Sequence, residues 1–213
     1  MSENSLSNRA YEILEELLVT LVLEPSRVYS EKELMEISEV SRTPLREALL
    51  RLSNESLVTI IPRRGIEISD INMIDQLAML ETRRVLDTLL ITRATKYATA
   101  FEKEKLRELK RSMSEAVSKD RAEGYLRADK ELDQTIAKIA RNEFAAHATE
   151  PLHVRSRRFW YYYKGVEDMY SCSSLHVKMI DAIIEGDTKE ALRYSDEIID
   201  NLVNVVKEYL RSL

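Results

Sequence analysis

The chain has 213 residues, of which 44% are hydrophobic, enough to build one large packed domain or two small ones. Its one cysteine, Cys172, excludes an internal disulfide framework and fits a reducing compartment. No run of about 18 apolar residues and no apolar signal segment occurs, so we expect a cytoplasmic protein without a membrane partner. The net charge is -5, but residues 42 to 64 hold five arginines against two glutamates. Any surface that binds a polyanion must therefore be a local patch.

Three helical segments are predicted near the N-terminus. The first covers residues 6–22, and the second begins at Ser30, where Glu33 three residues later gives the spacing of a capping box. The third is the stretch VSRTPLREALLRL at residues 40–52, with Ser41 or Thr43 as its N-cap. Its apolar residues recur at helical spacing and are predicted to face inward: Leu45, Ala48, Leu49 and Leu52.

A hairpin is predicted after the third helix. The β-branched run at residues 57–61 stops at Pro62-Arg63-Arg64-Gly65 and resumes at residues 66–68. The order helix, tight turn, helix and hairpin indicates a winged helix-turn-helix domain. A helix N-terminus offers free N–H groups to phosphates, and guanidinium groups bind phosphate or guanine edges, so this arrangement suits DNA.

Beyond residue 70 the pattern is almost entirely helical. We therefore predict a mainly α protein with a winged helix-turn-helix domain at residues 1–70 and an antiparallel all-helical bundle at residues 71–213. Gly124, Gly165 and Gly186 mark predicted joints. The predicted helices cover residues 71–98, 102–118, 121–141, 143–163, 167–185 and 188–212.

The first domain resembles the N-terminal domain of GntR-type bacterial transcription regulators, as seen in VSRTPLREAL and the following PRRG. The resemblance implies that a homodimer binds double-stranded operator DNA. Glu39 and Ser56 stand where the family usually has glycine, and a left-handed non-glycine residue costs on the order of 1 kcal/mol, so we expect a slightly rebuilt turn. By position, the resemblance assigns DNA contacts to Lys32, Arg42, Thr43, Arg46, Arg64 and Gly65. Arg51 is expected to pair with Glu55 instead.

The second domain resembles the FCD-type effector domain of the FadR subfamily. The matching pieces are ETRRVLD at residues 81–87, ADKELD at 128–133, IARN at 139–142, and His176 followed by AIIEGD at 182–187. Many members hold a divalent metal through one aspartate and three histidines. Asp129 and His176 fit two ligands, whereas Asp133 and Ile198 occupy two histidine positions. Asp129, Asp133 and His176 could still bind zinc, nickel or manganese with water ligands.

An organic effector is the alternative occupant of the bundle. A carboxylate could be received by Arg83 or Arg84 with Asn142, helped by one of three arginines of the next helix: Arg155, Arg157 and Arg158. The aromatic run at residues 159–163 cannot face one side of a helix, so we expect it to divide between core and surface. His147 and His153 are interpreted as ordinary loop or helix histidines.

These observations predict a transcription regulator that responds to a small molecule, a carboxylate by its predicted partners, with or without a divalent metal. Effector binding would change the positions of the two winged domains and so release DNA. A constitutive DNA binder with a degenerate pocket and a metal-dependent enzyme are the alternatives. We expect no enzyme, because the sequence has no phosphate-binding glycine loop, Cys-X-X-Cys pair or His-Glu-X-X-His motif.

Overall fold

A computed structural model describes residues 3–119, 121–163 and 169–211, with side chains described from Leu6 onward. The chain divides into two compact units, Met1–Asn72 and Met73–Leu213, called the N-terminal and C-terminal units below. The division lies beside the boundary that the sequence predicts. None of the helices in the described ranges is long and apolar enough to span a lipid bilayer.

The N-terminal unit combines three helices with a small sheet. In chain order its elements are α1 (Glu3–Val19), β1 (Val28–Tyr29), α2 (Glu31–Ser38), α3 (Arg42–Asn54), β2 (Val58–Ile61) and β3 (Gly65–Ile68). The sheet is antiparallel with the order β1-β3-β2, so β3 is central, and Ile61 pairs with Gly65 across the hairpin. Strand β1 was not predicted, because two residues are too short to show an alternating pattern.

Helix α1 ends at Val19, so the prediction that it continues to residue 22 is wrong. Leu21 adopts a left-handed backbone with φ 60, which breaks the helical hydrogen-bond ladder. The N–H of Leu23 donates instead to the carbonyl of Leu17 at 3.1 Å. This turn buries Leu23, whereas Val22 remains half-exposed.

Helices α2 and α3 begin where the sequence predicts, but with different caps. The Ser30 hydroxyl accepts from the N–H of Glu33, and the Glu33 carboxylate accepts from the N–H of Ser30, which confirms the capping box. Ser41 is the N-cap of α3 but makes no side-chain capping hydrogen bond. All four apolar residues predicted to line the inner face of α3 are buried, as expected.

The C-terminal unit is helical throughout its described part. Its elements are α4 (Met73–Tyr97), α5 (Ala100–Ser118), α6 (Ala122–Ala140), α7 (Glu143–Tyr163), α8 (Met169–Glu185) and α9 (Thr188–Arg211). Helix α4 contacts α6, α7, α8 and α9, which places it at the centre of the unit.

Two glycines of this unit are described, and they differ in role. Gly186 occupies a turn with φ 83 between α8 and α9, as predicted, whereas Gly124 lies inside α6 and not at a joint. Gly165 lies outside the described residues. The aromatic run on α7 divides as expected, because Phe159 and Trp160 are buried while Tyr162 is 52% exposed.

Candidate nucleic-acid interface and buried charge cluster

The turn between α2 and α3 keeps a left-handed residue without using glycine. Glu39 adopts φ 55 and ψ 26, and Ser56 before β2 adopts φ 57. Both positions are those at which the sequence resemblance calls for glycine. The expectation of a rebuilt turn is therefore wrong, because the turn keeps its left-handed conformation at a cost on the order of 1 kcal/mol per residue.

The N-terminal end of α3 presents two arginines to solvent, held by one acidic residue of α2. Arg46 Nε donates to Glu31 Oε1 at 2.9 Å, and Arg42 Nε lies 3.9 Å from Glu31 Oε2. The side chains of Arg42 and Arg46 are 66% and 59% exposed, and Thr43 between them is also exposed. The hydrogen bond and charge of Glu31 raise the pKa of Arg46. Glu31 therefore holds both guanidinium groups at one end of the helix.

Arg51 points away from the exposed N-terminal end of α3 and contacts residues of the N-terminal unit. Its Nε lies 3.1 Å from Glu55 Oε1, as predicted, and its guanidinium lies 3.6 Å from the ring centre of Tyr11. The Tyr11 hydroxyl donates to Glu55 Oε2 at 2.6 Å. These contacts join α1 to α3, so the three arginines of α3 are not equivalent.

The hairpin turn places two further arginines, Arg63 and Arg64, in solvent. The N–H of Arg64 donates to the carbonyl of Ile61 at 3.0 Å, Arg63 takes a left-handed φ of 63, and both arginines are exposed. Gly65 follows with φ 131, and a Cβ atom there would lie 2.5 Å from the Tyr29 carbonyl oxygen. The structure therefore gives Gly65 a packing role between β3 and β1. Among the other predicted contacts, Lys32 is exposed and lies 3.7 Å from Glu36.

A second group of polar residues lies inside the C-terminal unit. Seven titratable side chains from α4, α6, α7 and α8 meet there, and we call them the buried charge cluster: Arg83, Asp87, Asp129, Asp133, His153, Arg157 and His176. Burial of so many charged groups is tolerated only when each has a partner of opposite charge or a hydrogen bond.

His153 connects two aspartates of the cluster. Its Nε2 lies 2.8 Å from Asp87 Oδ1, and its Nδ1 lies 3.2 Å from Asp133 Oδ2. Arg83 Nε donates to the other oxygen of Asp87 at 2.9 Å. Burial alone would raise the pKa of Asp87, but the charges of His153 and Arg83 hold that pKa below its usual value.

His176 orients the remaining aspartate. Its Nε2 lies 3.1 Å from Asp129 Oδ1, while its Nδ1 lies 2.9 Å from the Cys172 carbonyl oxygen and 3.2 Å from the Tyr125 hydroxyl. Burial lowers the pKa of His176, yet the hydrogen bond and charge of Asp129 outweigh burial and raise it. Each ring nitrogen of His176 therefore faces an oxygen that can accept a hydrogen bond, the Cys172 carbonyl at Nδ1 and the Asp129 carboxylate at Nε2.

Arg157 lies between the two carboxylates of α6. Its Nη1 is 2.6 Å from Asp133 Oδ2 and 3.5 Å from Asp129 Oδ2. Burial and the nearby charge of Asp129 raise the pKa of Asp133, against the opposing charges of His153 and Arg157. Arg157 is thus the cation shared by the residues that the sequence resemblance assigns to a metal.

The predicted metal ligands do not fit a divalent ion in this arrangement. Asp129 and Asp133 both face the Arg157 guanidinium, and His176 Nε2 lies 3.1 Å from an Asp129 oxygen, so the predicted ligands contact one another and a cation of the chain itself. Within the described ranges, no group of three or more His, Cys, Asp or Glu side chains is placed to hold a metal ion. Ile198 lines the neighbouring cavities and supplies no ligand atom.

The predicted effector residues separate in the structure. Arg83 belongs to the cluster, but Arg84 faces α9, where it lies 2.9 Å from Asp196 and 2.5 Å from Asp200. Asn142 caps α7, because its side-chain oxygen accepts from the N–H of Ala145 at 3.2 Å. Arg84 and Asn142 are therefore not brought to the site.

His153 is the residue that the sequence interpretation missed. It is buried at the centre of the cluster, so its description as an ordinary helix histidine is wrong. One signal could have identified it, because His153 and Arg157 are four residues apart and so share one face of α7.

Two small cavities adjoin the cluster. One of about 30 Å³ is lined by Arg83, Arg157 and Trp160, and one of about 20 Å³ by Asp87, His153 and Ser195, among others. A polar cavity holds a water molecule once it offers about 10–15 Å³, whereas a cavity known to bind benzene has a volume of roughly 150 Å³. Each cavity in this conformation therefore suits one or two waters and not an organic molecule. The indole Nε1 of Trp160 is buried and finds no hydrogen-bond partner among the described residues.

The N-terminal unit has the architecture of a winged helix-turn-helix domain, with exposed arginines at the start of its second motif helix and at its hairpin turn. Together with a separate helical unit that contains a buried polar centre, this defines a two-domain DNA-binding transcription regulator.

Comparison with known proteins gives the family. Residues 6–68 match the bacterial regulatory proteins of the gntR family, and residues 78–201 match the FCD domain. The chain belongs to the GntR family of regulators and carries an FCD domain. It is a transcription regulator and not an enzyme.

Individual relatives are similar to the chain over different lengths. The HTH-type transcriptional repressor RspR of Escherichia coli K12 is 25% identical over 155 residues, covering 73% of this chain and 68% of the relative. An uncharacterised HTH-type regulator of Streptomyces ambofaciens is 39% identical over 71 residues, covering 32% of this chain and 30% of the relative. The structure of E. coli McbR/YncC superposes with a TM-score of 0.84 over 99% of both chains at 19% identity, so it shares the fold.

Proposed function

We propose that the protein acts as a homodimer that binds operator DNA through residues 1–70 and senses a small anionic molecule through residues 71–213. The DNA contacts in this proposal are Arg42, Thr43, Arg46 and Arg64, with Lys32 and Gly65 beside them. The sensing site is the buried charge cluster with its adjoining cavities.

One observation carries the DNA proposal: the N-terminus of α3 is exposed and has no side-chain cap. Ser41 leaves the first-turn N–H groups without a side-chain acceptor, and Arg42 and Arg46 flank them. A phosphate is the natural acceptor at such an end, because the helix dipole and the guanidinium charges attract it together. Glu31 restricts the rotamers of both arginines before DNA arrives, so that less side-chain freedom is lost on binding.

The test is to replace Arg46 and measure binding to a duplex that the wild-type protein enriches from random-sequence DNA. Arg46→Ala should weaken binding about tenfold and reduce the salt slope of log K by about 1. Arg107→Ala is the matched control, since Arg107 is also half-exposed and lies 3.0 Å from a glutamate, Glu104, but belongs to the C-terminal unit. Unchanged affinity and salt dependence for Arg46→Ala would remove α3 from the interface.

The sensing proposal rests on two buried guanidinium groups next to a cavity. Arg83 and Arg157 both line the larger cavity, together with the indole N–H of Trp160, which has no hydrogen-bond partner in the part of the chain that the structure describes. Guanidinium and N–H donors bind carboxylates well in a site shielded from water. Because the cavity is small, a ligand must open it, which couples occupancy to a change in the helical unit.

The small cavity volume also favours a second candidate, a constitutive regulator whose pocket no longer binds an effector. A panel of mono-, di- and tricarboxylates separates the two candidates. A sensor should show a ligand-dependent rise in Tm and altered DNA affinity, both lost in Arg83→Met and retained in Arg84→Ala. If no carboxylate changes Tm or DNA affinity, the constitutive regulator is the better description.

The homodimer proposal is supported by an apolar stripe on the solvent side of α4. Ile74, Val85 and Leu89 lie at helical spacing on this side and are 71%, 68% and 42% exposed. Two copies that pack these stripes together would remove them from water. Val85→Glu should shift the protein toward monomer in sedimentation velocity, whereas Thr82→Glu nearby on the same helix tests the effect of charge alone.

A further inference from the structure

We propose that Leu50 reads the 5-methyl group of a pyrimidine in the major groove, which in unmodified DNA is a thymine. This inference rests on the proposed DNA-binding function, and it adds a residue that gives sequence preference. Cationic contacts to phosphate attract DNA of any sequence, whereas an apolar contact to a base edge distinguishes one base from another.

Leu50 is the exception among the leucines of α3. The other three are buried, whereas Leu50 is 58% exposed. Seven helical residues turn through about 700°, so Leu50 lies within roughly 20° of Thr43 around the helix axis and two turns further along. Leu50 therefore extends the exposed face of α3 that begins with Thr43 and Arg46.

A neighbouring acidic residue indicates which part of DNA this face suits. Glu47 is exposed, lies between Thr43 and Leu50, and makes no hydrogen bond or ion pair within the described ranges. A carboxylate repels phosphate groups, whereas the amino groups of cytosine and adenine can donate to it from the base edges. The second turn of α3 therefore suits the floor of the groove and not the phosphate backbone.

The direction of the Leu50 side chain brings it closer to the bases. Helical side chains point back toward the N-terminus and cover the turn before their own Cα atom. Leu50 therefore covers the turn of Arg46 and Glu47, toward the end of α3 that the DNA proposal places in the groove. The apolar group that the major groove presents there is the 5-methyl group of thymine, because the other recognition groups are hydrogen-bond donors and acceptors.

The experiment compares matched duplexes with the full-length protein. The starting duplex is one that the wild-type protein enriches from random-sequence DNA, and each thymine is replaced in turn by uracil, which removes the methyl group but keeps the base pairing. Wild-type affinity should fall about three- to fivefold at one thymine of each half-site, as expected for one buried methyl group. Leu50→Ala should bind the thymine duplex more weakly than the wild type does and should bind both duplexes equally.

Two control variants test whether the preference belongs to this side chain. Leu50→Met keeps an apolar contact and should retain the preference for thymine. Leu6→Ala makes the same leucine-to-alanine change at a 42% exposed position of α1 and should retain it as well.

A second pair of duplexes separates a methyl contact from recognition of DNA shape. The sensitive thymine is replaced by cytosine in one duplex and by 5-methylcytosine in the other. Wild-type protein should bind the methylated duplex about three- to fivefold more tightly, and Leu50→Ala should bind the two equally. Equal binding of both by the wild type would overturn the methyl contact.

The outcomes distinguish this inference from the DNA proposal. If binding depends on Arg46 but no exchange of thymine for uracil changes the affinity, the inference on Leu50 is overturned and the DNA proposal stands. The same holds if Leu50→Ala keeps the wild-type preference for thymine. If the wild-type protein enriches no duplex, both proposals are overturned.

Discussion

Substitution of Gly65 by alanine tests the packing of the hairpin against β1. The added Cβ would lie 2.5 Å from the backbone oxygen of Tyr29, whereas real Cβ contacts are not shorter than 3.0 Å, so β1 would have to move by about 0.5 Å. The φ of 131 adds backbone strain of about 1–3 kcal/mol for any residue with a side chain. Alanine has fewer accessible conformations than glycine in the unfolded chain. This lower entropy of the unfolded state offsets roughly 0.4–1 kcal/mol of the destabilisation.

The net loss in unfolding free energy is therefore about 2–4 kcal/mol. A unit of 72 residues has a total of about 4–11 kcal/mol, so the loss is a large fraction of its stability. The corresponding fall in Tm is about 10–25 °C and should appear in the transition of the N-terminal unit, measured by differential scanning calorimetry of the full chain.

Gly186→Ala is the control for backbone strain without steric overlap. Gly186 also has a positive φ, 83, but an added Cβ there meets no atom within 4 Å. Its replacement should cost only about 1 kcal/mol. If Gly65→Ala costs no more than Gly186→Ala, or leaves the first transition unchanged, then close packing against Tyr29 does not explain the glycine.

Three further changes test local features of the N-terminal unit. Glu39→Gly should raise the unfolding free energy by about 0.5–1 kcal/mol, because glycine accepts the left-handed turn, and urea titration would contradict this if stability fell. Ser30→Ala should cost about 1 kcal/mol through loss of the capping box, whereas Ser41→Ala, which removes no side-chain cap, should be nearly neutral. Burial and the hydrogen bond to Glu55 raise the pKa of the Tyr11 hydroxyl above its usual value near 10. The neutral hydroxyl therefore stabilises the folded state below about pH 10, and this stabilisation is lost as the pH rises further. Tyr11→Phe should lower stability at pH 7 by about 1–3 kcal/mol and flatten that alkaline decline in thermal unfolding between pH 8 and 11.

Local features of the fold could be predicted from the sequence because they depend on near neighbours. Three such features involve residues three or four positions apart: the inner face of α3, the capping box at Ser30, and the pairing of Arg51 with Glu55. The end of α1 could not be predicted, since its apolar spacing continues to Leu21 while burial of Leu23 decides where the chain turns. Tertiary packing overrode the local pattern there.

The buried charge cluster was only partly predictable, because some of its contacts lie within one helix and others join different helices. Asp129 and Asp133 share a helix face, so their convergence followed from spacing. The contact between Asp133 and His153 joins two helices across 20 positions, and no local pattern encodes it. Asn142 was predictable in another role, because asparagine directly before a helical run is a preferred N-cap.

The chain contains one tryptophan, and it lies beside the larger cavity. The Trp160 ring is 6% exposed and packs against Tyr125 with centroids 5.2 Å apart. Indole emission depends on the polarity and hydrogen bonding around the ring, and all the tryptophan emission of this chain comes from Trp160. The protein therefore carries an intrinsic fluorescent reporter of the cavity, and occupancy can be followed in the unlabelled wild-type chain through the wavelength and intensity of a single emitter.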